Sequence, residues 1–281
     1  MTPADPGTGK AAPPGSPAWY ALLFTPEDRR DAVGALFELR AEIMDSARTP
    51  AEPAVAQARL EWWRAEIAGY GAGRAQHPAL RRVQAAGLAG VVQPEYLLEM
   101  VDAFESELAE GPCRTYAELA LYCYRSGGVL HEMIAGALGS AEPQNERAVV
   151  RYAQRLGTGA RLVELLANLR GDLAAGRHLL PRDWVAETGA TERFDGKPID
   201  PALAACADRL AGEARVALDD AESLCPPAER PRQRTGLVLA ALYRRHLDRL
   251  HRHGFDPAGL PGNLDNLWTC WRAARKARAA G

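Results

Sequence analysis

The sequence predicts an all-α protein, and three observations carry that reading. Apolar residues recur at helical spacing, as in Leu97, Val101, Phe104 and Leu108, or Leu203, Leu210, Ala214, Ala217, Ala221 and Leu224, which gives a helix one apolar face. Helix-start signals punctuate the chain from residue 25 onward. The alternating runs that mark half-buried strands are scarce.

Taken in order, the first helix spans about 26–47. It opens on Thr25-Pro26-Glu27-Asp28, with an N-cap, a proline at the first helical position and acids in the first turn. The second, near 53–69, carries Trp62 and Trp63, which cannot share one face at adjacent positions, so one belongs to the core. Helices near 78–90 and 94–110 follow, the latter with the Leu97 to Leu108 stripe. Thr115-Tyr116-Ala117-Glu118 has capping-box spacing and starts a helix over 115–139. The helix near 143–175 pairs an apolar face of Leu162, Leu165, Leu166 and Leu169 with a polar stripe of Arg161, Glu164, Asn168 and Asp172. Asp200-Pro201 caps a helix over 201–224; two more lie near 228–253 and 263–278.

Residues 1–17 hold five Pro, three Gly and no Val, Ile, Leu or aromatic residue, and read as a disordered tail before one helical domain over 18–281. Thirty-four Lys and Arg against thirty-six Asp and Glu leave a formal charge of −2, so no global positive field invites nucleic acid. The longest apolar runs fall far short of the roughly 20 residues that span a bilayer. Five cysteines without C-x-x-C pairing argue against a disulfide framework and a structural zinc site, and for a reducing cytoplasm. No secretory or transit signal is read at the N-terminus. His246, His251 and His253 sit in a basic stretch read as a solvated face. Arg272, Arg275, Lys276 and Arg278 form a basic helix end that offers peripheral contact with the inner face of a membrane.

Phosphate loops, H-E-x-x-H pairs and G-x-S-x-G elbows are absent. A solvated face is the simple reading of the Arg161 to Asp172 stripe, but its surroundings point elsewhere. Gly176-Arg177-His178-Leu179-Leu180-Pro181 follows the stripe, Tyr122-Cys123-Tyr124-Arg125-Ser126-Gly127-Gly128 precedes it, and Arg59-Leu60-Glu61-Trp62-Trp63 and Ala241-Leu242-Tyr243 flank both. In their order and spacing these elements resemble the squalene/phytoene synthase family, which joins two prenyl diphosphates head to head. The resemblance runs from about Trp19 to about Arg275 and implies the isoprenoid-synthase architecture, with a central cavity between helices.

That family's chemistry uses two D-x-x-x-D pairs whose carboxylates hold Mg²⁺ on a diphosphate. In the first register this chain reads Met44-Asp45-Ser46-Ala47-Arg48, and in the second Asn168-Leu169-Arg170-Gly171-Asp172, with only Asp172 left as a metal ligand. The family's basic residue before the first pair, and its Gln, Asn and Arg on the second helix, become Ala41, Arg161, Glu164 and Ala167. By the same resemblance Tyr122 faces the reacting carbocation, its rival role being a packed aromatic. Arg161, Asn168, Arg177 and Tyr243 contact substrate, a helix-end salt bridge being the rival for Arg177. Ala35-Leu36-Phe37, Glu42-Ile43, Ala51-Glu52-Pro53 and the Trp62-Trp63 segment are similar to a divergent branch that includes a mitochondrial assembly factor for respiratory complex I. The resemblance therefore implies a non-catalytic or weakly active protein that binds an isoprenoid-like or other apolar ligand, or a protein partner. The alternative is a Mg-dependent prenyltransferase making squalene- or phytoene-like products from prenyl diphosphates.

Overall fold

Proline at the start of a helix costs no hydrogen bond, and this chain uses it repeatedly. In the computed structural model, which describes residues 11–49, 52–108, 113–193 and 199–279, proline opens α1 (Pro17–Phe24), α3 (Pro53–Gly71), α4 (Pro78–Ala85), α5 (Pro94–Ser106) and α10 (Pro201–Leu224). The others are α2 (Glu27–Arg48), α6 (Tyr116–Cys123), α7 (Val129–Leu138), α8 (Glu146–Ala174), α9 (Arg182–Thr188), α11 (Arg234–Arg252) and α12 (Asn263–Ala279). No strand occurs among the described residues. Asp200 accepts from the Leu203 amide at 2.9 Å and Thr115 from that of Glu118 at 3.3 Å, as their spacing predicts. Thr25 has a different job: its hydroxyl donates to the Ala21 carbonyl at 2.8 Å, closing α1, a helix not expected from sequence.

Of the tail expected over 1–17, residues 1–10 lie outside the described residues. Within the remainder Ala12 is buried and Ser16 caps α1 by accepting from the Trp19 amide.

The helix expected over 115–139 is interrupted at Tyr124–Gly128 by a single π-turn. Gly127 and Gly128 there meet α8 at Gly157 so closely that a Cβ on Gly127 would stand 2.5 Å from the Gly157 carbonyl oxygen. The extra residue in the turn lets two backbones approach where side chains would hold them apart. Around this contact α8 is the central helix, packed on α10, the π-turn, α7 and α11, while α2 lies across α7, α3, α4 and α5. Trp63 is the core member of its pair, donating to Ser46 Oγ at 2.9 Å; Trp62 is half exposed. His246 is buried against Asn266, contrary to the solvated face expected for it, because α12 covers that side of α11. His251 and His253 are exposed. All five cysteines are buried and free.

Candidate functional site

The polar stripe of α8 faces the interior. Arg161 is 2% exposed and Asp172 3%, so the solvated-face reading fails for both; Asn168 alone of the four is exposed, donating to its own helix at the Glu164 carbonyl. A buried guanidinium must be paired and hydrogen-bonded, and the partners of Arg161 form a ring of charges that closes only through the α2 backbone. Arg161 contacts Glu164 one turn on at 3.1 Å and Glu107, just past α5, at 3.4 Å. Glu107 also accepts from Arg48 on α2 at 2.8 Å. Glu164 accepts from Arg40, also on α2, at 2.7 Å. The ring thus runs from α2 to α8 and back, and two tyrosines complete it. Tyr243 on α11 donates to Glu164 at 2.8 Å, and Tyr122 on α6 donates to Glu107 while accepting from Arg161. Arg40 is fixed further by the Ser126 carbonyl of the π-turn at 2.9 Å.

This arrangement settles charge states. Burial alone would favour a neutral Glu164, but Arg40 and Arg161 outweigh it and hold its carboxyl at about 2. Burial raises the Tyr122 and Tyr243 phenols well above their ordinary value, so both remain donors. The cation over the Tyr122 ring is the Arg161 guanidinium, 5.3 Å from the centroid.

Beside the ring lies a partly open cavity of about 250 Å³, lined by α2, α7, α8, α11 and the start of α1. Phe37, Ala41, Met44 and Leu130 give it an apolar wall; Arg40, Asp45, His131, Glu164 and Tyr243 give it polar points. His131 is 6% exposed, and burial lowers it to about 4, so it is neutral near pH 7. Its Nδ1 pairs with the Gly127 carbonyl at 2.9 Å, which makes Nδ1 the donor and leaves Nε2 as an acceptor with no partner among the described residues.

Asp172, expected as a metal ligand, and Arg177, expected at substrate, pair with each other outside this cavity. Arg177 donates to Asp172 Oδ1 through Nε at 2.9 Å and Nη2 at 2.8 Å. Asp172 Oδ2 is buried without a partner among the described residues, and the adjoining gap, walled by Leu165, Leu169 and Leu180, measures about 10 Å³, room for at most one water. Magnesium demands near-octahedral oxygen ligation with several waters retained. The residues present do not fit it: Glu107, Glu164 and Asp172 are each engaged by arginine, and no group of three or more His, Cys, Asp or Glu suited to an ion occurs among the described residues.

Tyr122, Arg161 and Tyr243 therefore meet in one site, Asp172 and Arg177 in another, and Asn168 joins neither. Sequence reasoning missed Arg40, Glu107 and His131. Arg40 and Arg48 lie eight positions apart on α2, hence on one face, which was a usable signal; Glu107 and His131 offered none.

Comparison with known proteins agrees with this helical frame. The squalene/phytoene synthase family profile matches residues 14–273. A phytoene synthase of Mycobacterium bovis is 26% identical over 238 residues, covering 82% of this chain and 75% of that protein. A presqualene diphosphate synthase of Sinorhizobium fredii is 25% identical over 256 residues, covering 90% of each. Among solved structures, a dehydrosqualene synthase in complex with ligand superposes with a TM-score of 0.81 at 17% identity, over 95% of this chain and 93% of that one.

Proposed function

Since this chain belongs to the squalene/phytoene synthase family, we propose that it has exchanged metal-dependent condensation for the binding of one neutral, isoprenoid-like molecule in the cavity beside the charge ring. The observation that carries this reading is the ring itself. Arg40, Arg48 and Arg161 are all engaged by Glu107 and Glu164, which also accept from Tyr122 and Tyr243. Arginines engaged in this way are not poised for a diphosphate, and Glu107 and Glu164 have both oxygens occupied and none to offer a metal. At about 250 Å³ the cavity lies just below the roughly 300–1,000 Å³ of ordinary ligand sites, which suits one chain rather than the two that condensation joins. Phe37, Ala41, Met44 and Leu130 supply the apolar contact, and the few polar groups among them suit a ligand with one polar end, such as a prenyl alcohol.

The test is incubation of the purified protein with farnesyl or geranylgeranyl diphosphate and Mg²⁺, in parallel with thermal melts in the presence of farnesol or geranylgeraniol. The proposal expects no diphosphate release and a raised melting temperature with an alcohol. Diphosphate release that disappears in Asp172→Ala would overturn it. So would melts unmoved by every chain tried.

A further inference from the structure

The outer face of α12 carries features that the cavity does not use. Leu264 is 84% exposed, Trp268 59%, Trp271 42% and Leu267 38%. At 100° per residue Leu264, Trp268, Trp271, Arg275 and Arg278 form one stripe about 20 Å long. The two indoles are stacked, with ring centroids 5.0 Å apart, and the Arg275 guanidinium lies over the Trp271 ring at 5.5 Å. Arg272, Arg275 and Arg278 are exposed and form no ion pair among the described residues, whereas neighbouring Lys276 and Arg244 are bound to Glu222. On α11, burial and then Arg278 hold Arg234 below the ordinary arginine value, against the opposing pull of Asp28. Alongside runs a groove of about 840 Å³ between α11 and α12, lined in part by Arg245, Arg252 and Arg272.

We propose that this face of α12 docks onto an anionic lipid surface, with the Trp268–Trp271 pair set among the headgroups and Arg272, Arg275 and Arg278 on lipid phosphates. Charge complementarity selects the occupant. Three arginines without an ion pair among the described residues call for a surface rich in anions. Stacked indoles, apolar in body with a polar N–H, and arginines with apolar stems under charged heads match the depth profile of a membrane interface. The helix lies along such a surface rather than through it, since no helix among the described residues is long and apolar enough to cross a membrane. This inference is independent of the cavity and its ligand.

The experiment is co-sedimentation of the full chain with vesicles of phosphatidylcholine, with and without phosphatidylglycerol, at low and high salt. Expected are partitioning onto the anionic vesicles alone and release by salt. Reversing the three arginines (Arg272→Glu, Arg275→Glu, Arg278→Glu) should lower the partition coefficient on the order of a hundredfold, about fivefold for each neutralised charge and more for reversal. Trp268→Ser with Trp271→Ser should also weaken it, whereas Trp62→Ser, which removes an equally exposed indole from α3, should not. All substituted side chains are exposed, so unchanged thermal melts would verify folding. Failure to sediment with anionic vesicles at low salt, equal binding to neutral vesicles, or binding indifferent to the α12 variants would each overturn the proposal.

Discussion

Replacing Glu164 by Gln probes the charge ring where two arginines converge. Glu164 accepts from Arg40 at 2.7 Å and Arg161 at 3.1 Å, and Arg161, 2% exposed, has no water to turn to when its partner is neutralised. The carboxyl sits at about 2 rather than the ordinary 4.5. At about 1.4 kcal/mol per tenfold in proton affinity, that corresponds to about 3 kcal/mol of folding stability, in line with the roughly 3–5 kcal/mol lost when one member of a buried pair is removed. For a chain of this length the melting temperature should fall by about 10 °C. The pH dependence has a definite sign. Because folding lowers this carboxyl's proton affinity, its contribution is complete above about 4.5 and is lost as pH falls from there through about 2. Gln resembles the protonated form, so the gap between wild type and Glu164→Gln should shrink to roughly half by about pH 3. Urea unfolding of both proteins across that range measures it. A gap under about 1 kcal/mol near neutral pH, or one that does not narrow on acidification, would refute the assignment of Glu164 as the hub of the ring.

Three further outcomes follow from the same geometry. His131 is held neutral by burial at about 4, and the unfolded chain takes up a proton at about 6.5; stability should therefore fall by about 3 kcal/mol as pH drops from 6.5 through about 4. His131→Leu should flatten that slope in urea titrations, while an unchanged slope would contradict the burial argument. Gly157→Ala would drive a Cβ into the Gly127 backbone and should destabilise by about 1–3 kcal/mol, whereas Gly171→Ala on the exposed side of the same helix meets nothing and should stabilise by roughly 0.5–1 kcal/mol; equal melting shifts would mean that the close contact is not limiting. Arg177→Ala should cost about 3 kcal/mol by stranding Asp172, and adding Asp172→Leu should recover most of it, because Leu165, Leu169 and Leu180 already wall that pocket. Lack of recovery in denaturation would point to a role for Asp172 beyond the pair.

Local chemistry made the frame readable, and distance hid the site. Asp200 and Thr115 cap as their spacing says because N-capping involves residues only three positions apart. By contrast α1 is short and apolar on nearly every position, so no period marks it, and Thr25 before a proline passes for the start of α2. The π-turn was invisible because only the approach of Gly157 on a different helix requires it. The ring was hidden for the same reason. Helical spacing puts Arg161 and Glu164 on one face, but their partners Glu107 and Arg40 stand 54 and 124 positions away, and nothing local says whether such a stripe meets water or another helix.

The ring also explains why departures from the family pattern come together. By the resemblance read from the sequence, Arg161 and Glu164 stand where the family would place Gln and Asn, and Arg48 where it would place an acid. Arg161 without Glu107 and Glu164 would be a buried lone cation costing several kcal/mol. Glu107, 2% exposed at its side chain, would be a buried lone anion without Arg48 and Arg161. Each charge is tolerable only in the presence of the others, so the charges of α2 and α8 stand or fall together. Restoring a single family residue, as in Arg161→Gln, should accordingly leave Glu107 with Arg48 alone and Glu164 with Arg40 alone, weakening the fold without rebuilding a metal site.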